Sequence, residues 1–240
     1  MISIKNFSKA YTKNNYVVKN LNVELAEGDI CAFVGHNGAG KTTTLKCIVG
    51  ILEFKEGEIL LNNKSIKKEP IACKNEIAYI PDNPNLYEHL RGIDYINFIA
   101  SVYKIPQNKK IALAQKYSEM FEMTNFLNQE IGSYSHGMKQ KISLIAALMH
   151  EPKILILDEP FVGLDPVSTH NLKQEMHNLA TNGATTIFST HILDVAEKLC
   201  NKIVILKEGK LIYSGEMNSL IQNKSLEEIY MEIDNNVESI

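Results

Sequence analysis

Hydrophobic and polar positions follow two rhythms along this chain. Short, nearly unbroken apolar runs recur: DICAFV (Asp29 to Val34), EIAYIP (Glu76 to Pro81), KILIL (Lys153 to Leu157), TTIFS (Thr185 to Ser189) and KIVIL (Lys202 to Leu206). Each has the length and character of a strand buried on both faces. Between them, apolar residues fall at helical spacing. In TTTLKCIVGIL, Leu45, Ile48, Val49 and Leu52 share a face; from Asn85 to His150 the pattern is helical, with Tyr95, Phe98, Ile99 and Val102 on one side. Strands interleaved with helices predict an α/β protein with a largely parallel central sheet. The helical region reads as a subdomain inserted into that core, and the stretch after Gly215 as a short extension, too small for a second domain. No internal repeat, low-complexity segment or Pro/Gly/Ser-rich linker is present.

Composition narrows the class of partner. With 240 residues, 45% of them hydrophobic and 22% charged, the chain has material for one good-sized globular domain. A formal net charge of −3 provides no basic field, so nucleic acid is not an expected partner. The longest apolar runs, such as ISLIAALM from Ile142, fall well short of the ~20 residues of a spanning helix. The opening MISIKNFSKAY has no apolar h-region, so neither membrane insertion nor export is expected. Cys31, Cys47, Cys73 and Cys200 show no C-x-x-C pair or metal-ligand spacing and read as reduced packing residues of a cytosolic protein.

Candidate chemistry begins where the first buried strand ends. Gly35, Gly40, Lys41 and Thr42 satisfy G-x-x-x-x-G-K-[ST] between a predicted strand and a predicted helix, with His36, Asn37, Gly38 and Ala39 inside the loop and Thr43 after it. Glycines let the backbone curl closely around phosphates, and the N–H groups of the loop and helix start face the anion. Lys41 can reach β- and γ-phosphate oxygens, and the Thr42 hydroxyl can ligate Mg²⁺. KILILDEP supplies carboxylates: Asp158 ends a buried strand, where its charge needs compensation such as Mg²⁺. Glu159, next in line, can accept a proton from an attacking water. A purine nucleoside triphosphate fits, but the N-K-x-D base reader of GTPases is absent, since NKSI at Asn63 and NKIV at Asn201 lack the Asp.

The stretch YSHGMKQK, about 20 residues before Asp158, decides the class. It resembles the L-S-G-G-Q signature of ABC-type ATPases: Ser135 and Gly137 match, while Tyr134, His136 and Met138 replace Leu, Gly and Gln. This variant is similar to that of cassettes serving bacterial exporters with a separately encoded permease. The resemblance extends over about residues 2 to 225 and implies a P-loop NTPase (RecA-like) core with an antiparallel β subdomain and an inserted α-helical subdomain. Its expected division is one ATPase domain over 1–230, with core segments at about 1–85 and 152–215, a helical subdomain at about 86–151, and a C-terminal extension over 216–240.

The resemblance further implies an ATPase that binds ATP and Mg²⁺. Ser135 and Gly137 of one cassette would face the γ-phosphate held by a second, identical or related, cassette. His191 in STHILD would contact that phosphate and orient the water or Glu159. Asp165, in GLDP, would lie at the cassette interface and also cap a helix that starts at Pro166. Tyr11 would stack on adenine. Asp82 stands where the family usually has a Gln that meets Mg²⁺; it remains a hard oxygen donor, and its charge can repel the γ-phosphate before the metal arrives. Leu86, Tyr87 and Leu90 would lie near the docking site of a membrane permease, with the chain held peripherally at the cytoplasmic face. ATPases of DNA repair, with a long coiled coil, and translation-associated proteins, with two cassettes, share these motifs; neither added feature occurs here.

Overall fold

A computed structural model describes residues 1–12, 15–222 and 224–235; the end of the expected C-terminal extension, 236–240, lies outside the described residues. The antiparallel strands β1 (Ile2–Thr12) and β2 (Asn15–Leu25) lead into β3 (Ile30–Val34) and helix α1 (Lys41–Ile48). The hairpin β4 (Glu56–Leu61) and β5 (Lys64–Ser65) precedes α2 (Pro70–Lys74) and β6 (Ile77–Ile80). Three helices follow, α3 (Gly92–Val102), α4 (Gln107–Met120) and α5 (His136–Leu148). The chain then returns to β7 (Ile154–Asp158), α6 (Pro166–Thr181), β8 (Thr185–Thr190), α7 (Leu193–Leu199), β9 (Lys202–Lys207) and β10 (Lys210–Glu216). Helices α8 (Met217–Ile221) and α9 (Leu226–Asn235) close it.

The five apolar runs are the five strands β3, β6, β7, β8 and β9. They lie side by side and parallel in the order β9-β3-β8-β7-β6. Successive residues serve opposite faces, so all positions are buried except Tyr79, Lys202 and Lys207, which are half-buried. Ile154 and Ile156 of β7 pack with Leu45 and Ile48 of α1, whereas Leu155 and Leu157 join Ile142, Leu144 and Ile145 of α5. The remaining strands form an antiparallel wing in the order β5-β4-β1-β2, attached through β10, which pairs with β9 and bridges to β2 at Lys210–Lys19. Parallel pairing brings the C-terminal ends of β3, β6, β7 and β8 to one edge, the place where open α/β sheets bind ligands.

Two helical expectations shift. α1 stops at Ile48, because Val49 caps it and Gly50 takes a left-handed φ of 67°, so Leu52 lies beyond the helix. On α3, Tyr95, Phe98, Ile99 and Val102 do share a side, but the fully buried positions are Gly92, Ile96 and Ala100. Gly92 decides the rotation: a Cβ there would collide with the Tyr134 hydroxyl, so this side of α3 approaches the start of α5. Phe98 and Val102 are consequently 46% and 57% exposed. The four cysteines are free and buried. No helix among the described residues is long and apolar enough to cross a membrane.

Glu76 ties the wing to the parallel sheet. Its carboxylate accepts from Lys64 Nζ and Asn62 Nδ2, both at 2.8 Å, and from Lys153 Nζ at 3.3 Å. Burial alone would raise the Glu76 pKa, but these three donors outweigh it and bring the group down to about 2. A depressed carboxyl stabilises the fold fully above its unfolded value of about 4.3, and that contribution fades as pH falls towards the folded value. Thermal unfolding should therefore show Glu76→Gln with a lower Tm than the parent at pH 7 and a flatter loss of Tm between pH 5 and pH 2. Parallel acid limbs in the two proteins would remove this role.

Candidate functional site

The glycine loop is shaped by what a side chain would strike. A Cβ on Gly35 would collide with the Leu206 carbonyl oxygen of β9. Gly40, the residue before α1, has a φ of 102°, and a Cβ there would come within 2.7 Å of Val18 and 2.9 Å of the Val17 carbonyl oxygen. The loop is thus pressed between β9 and the wing, and glycine is required at both ends. Lys41 donates its ammonium back to the carbonyls of Gly35 at 2.5 Å and His36 at 3.2 Å. Burial lowers its pKa, while the nearby Glu159 and Asp158 carboxylates work against that shift.

Asp158 is 2% exposed at the end of β7. Two hydroxyls converge on its Oδ1: Thr42 Oγ1 donates at 3.0 Å and Ser189 Oγ at 2.5 Å. Ser189 sits directly opposite Asp158 in the β7–β8 register and also accepts the Glu159 N–H at 2.9 Å. One serine thus fixes both acidic residues. Glu159 carries a left-handed φ of 48°, a conformation that costs a non-glycine residue about 1–3 kcal/mol and that the Ser189 contact helps to hold. Its Oε2 lies 2.9 Å from His191 Nδ1, at the end of β8.

An open cleft of about 410 Å³ is lined by His36, Asn37, Asp82, Glu159, His191 and Tyr230, among others. It adjoins a smaller one of about 210 Å³ that gathers Gly38, Gly40, Lys41, Thr42, Thr43, Asp82, Asp158 and Glu159. Ala39 is buried beneath the loop. Tyr11, 56% exposed, reaches the same edge, its hydroxyl 3.3 Å from Thr43 Oγ1. The phosphate-motif residues, all three acids, His191 and Tyr11 therefore converge.

Ser135, Gly137 and Asp165 line neither cleft; they form a separate, tightly locked unit. Ser135 caps α5 by accepting the Met138 N–H at 3.3 Å, so Gly137 lies inside the first helical turn. A Cβ on Gly137 would sit 2.5 Å from the Gly163 carbonyl oxygen, and one on Gly163 would sit 2.8 Å from His136 Cδ2. Asp165 caps α6, accepting from the Ser168 N–H at 2.9 Å, with Pro166 the first helical residue. Lys141 of α5 pairs with Asp165 at 2.7 Å, and Lys141 first, then Ser168, hold the Asp165 carboxyl well below the usual carboxylate range. Sequence reading did not single out Ser189 or Lys141. The available signal for Ser189 was a hydroxyl at the C-terminal end of a strand run, after Ile187 and Phe188.

Comparison with known proteins gives this arrangement a family. The profile described as ABC transporter matches residues 18–162. The ABC-type transporter ATP-binding protein EcsA of Bacillus subtilis (strain 168) is 32% identical over 238 residues, covering 97% of this chain and 96% of EcsA. A solved structure described as the ATP binding subunit of an ABC transporter superposes with a TM-score of 0.93 at 32% identity, covering 98% of this chain and 99% of the other. The dimeric, post-hydrolysis ATP-binding cassette MJ0796, bound to ADP and Pi, has the same fold, with a TM-score of 0.82 at 24% identity over 90% of this chain and 99% of that one. With this P-loop fold, the chain belongs to the ABC transporter family, as one of its ATP-binding, ATP-hydrolysing subunits.

Proposed function

We propose that two cassettes, this chain and an identical or related copy, enclose ATP between the glycine loop of one and the Ser135-capped tip of the other. We further propose that their closing and reopening drives export of a substrate through a separate membrane permease. The observation that carries this reading is the division of the site: the phosphate-side residues converge on one cleft, while Ser135, Gly137 and Asp165 are locked together outside it. Ser135 is exposed, and exposed Val162 and Val167 flank Gly163 and Asp165, as suits a face awaiting a partner. Export rather than import rests on the Y-S-H-G-M form of the signature.

In this reading Tyr11 stacks on adenine, Gly35 to Thr43 cradle the phosphates, and Lys41 turns from the loop carbonyls to the β- and γ-phosphate oxygens. Mg²⁺, when bound, offsets the phosphate charge. The Thr42 hydroxyl and Asp158 would hold it, with Asp82 facing the same cleft. All three offer hard oxygen donors, and Thr42 already converges with Ser189 on one Asp158 oxygen. Glu159 accepts the proton of the attacking water, whose oxygen bonds to the γ-phosphorus as ADP departs; His191 holds the Glu159 carboxylate.

The core at about 1–85 and 152–215 carries the phosphate side, the helical subdomain at about 86–151 carries Ser135, and 216–240 forms the extension. The permease docks beside Asp82 to Tyr95, where Tyr87 is 52% exposed and its ring packs edge-on to Phe98 at 5.9 Å. Leu86 and Leu90 line the inner side of that surface, and docking holds the chain peripherally at the cytoplasmic face of the membrane.

Three variants test these roles. Glu159→Gln should bind ATP, turn it over at least ~10²-fold more slowly, and run as a dimer in size exclusion only with ATP. Normal turnover would remove Glu159 as the base, and an ATP-bound monomer would remove the shared site. Ser189→Ala, which releases Asp158 and the Glu159 backbone together, should lower turnover by about 10–100-fold, the usual effect of losing a residue that supports a metal ligand. Asp82→Gln should keep hydrolysis within about tenfold, as a change between two oxygen donors allows; complete loss would assign the carboxylate a role of its own.

A further inference from the structure

Helix α9 reaches the glycine loop. α9 starts from a reciprocal cap: Ser225 Oγ accepts the Glu228 N–H at 3.2 Å, and the Glu228 carboxylate accepts the Ser225 N–H at 2.8 Å. Leu226 is fully buried, and its N–H donates to Glu197 of α7 at 2.7 Å. The first turn is therefore fixed to the core. From there the helix runs to the lip of the phosphate cradle, where its other end meets two side chains.

Asp234 Oδ1 lies 3.2 Å from His36 Nε2 and 2.8 Å from Lys207 Nζ. The Lys207 ammonium also donates to the carbonyls of Ile233 at 3.4 Å and Asp234 at 3.0 Å, satisfying acceptors in the last turn of the helix. Lys207 first, and His36 after it, hold the Asp234 carboxyl below its ordinary pKa. The Tyr230 ring lies 5.4 Å from the His36 imidazole and lines the same cleft as Glu159 and His191. His36 thus faces two ways. Its side chain meets α9, while its main-chain carbonyl accepts the Lys41 ammonium at 3.2 Å and the Ala39 N–H at 3.1 Å.

We propose that Tyr230 and Asp234 are positioning residues of the nucleotide site: acting through His36, they hold the glycine loop in its phosphate-receiving shape and so set the affinity for ATP. A glycine-rich loop loses much conformational freedom when it closes on phosphate, and fixing one of its residues beforehand lowers that cost. This rests on assigning the glycine loop to the ATP phosphates. Lys207 follows Leu206, whose carbonyl faces Gly35 of the loop, and pairs with Asp234, so the helix is tied to the sheet that carries the loop.

The test uses the full chain with Mg²⁺ and ATP, measuring equilibrium binding of ATP together with KM and kcat. Asp234→Ala and Tyr230→Ala should each raise Kd and KM by about fivefold or more, the low end of ordinary coupling between sites. Turnover at saturation should stay within about twofold, as loss of uniform binding implies. Tyr230→Phe, which keeps the ring, should restore near-parent affinity. On a His36→Ala background, Asp234→Ala should add nothing, because the pathway through His36 is already cut. Unchanged affinity, an additive double variant, or tighter binding would overturn the proposal; tighter binding would make α9 an obstruction instead. Lys41→Ala serves as the control for the underlying assignment. If it binds ATP like the parent, the loop assignment fails; if it loses ATP while Asp234→Ala does not weaken binding, only the role of α9 fails.

Discussion

A buried carboxylate at the end of β7 organises this molecule. Asp158 is nearly inaccessible, and such a charge persists only where polar partners replace the water it has lost. Thr42 brings the start of α1 to it, and Ser189 brings the end of β8. The ends of two strands, β7 and β8, and the start of one helix are therefore drawn to a single oxygen, with Glu159 and His191 carried along by the backbone. The left-handed turn at Glu159 aims its carboxylate at His191 rather than along the strand.

That convergence depends on the parallel sheet beneath it. β7 and β8 are paired from Ile154–Thr185 through Asp158–Ser189 without a shift, and β3 and β8 run together from Ile30–Thr186 to Val34–Thr190. A one-residue slip would turn each inward side chain to the opposite face and separate Ser189 from Asp158. The two apolar clusters on either side of the sheet make such a slip costly, so the hydrophobic core fixes the hydrogen-bond geometry of the site.

Much of this was legible in the residues. The five core strands carry continuous apolar runs because they are covered on both sides, and the glycine loop and DE pair stand at their ends. The antiparallel wing was less visible, since β1 and β2 mix buried and exposed positions irregularly across several register shifts. α1 was drawn too long because apolar spacing continues past Gly50, where the backbone has already turned. The inward side of α3 was misjudged because Gly92, with no side chain to register in an apolar pattern, sets its rotation. Ser189 escaped notice because a hydroxyl within a β-rich run resembles ordinary strand composition. The short tail looked negligible, although Ser225 and Glu228 stand at the spacing of a helix cap.

Gly137 and Gly163 let the start of α5 press against the loop before α6: a Cβ on Gly137 would strike the Gly163 carbonyl oxygen, and one on Gly163 would strike the His136 ring. With the Lys141–Asp165 pair beside them, they behave as meshed teeth. A pull delivered at the tip of α5 must then reach α6 without slack, across segments separated in sequence by β7. Two absent methyl groups thereby convert a local tug into displacement of a whole sixteen-residue rod.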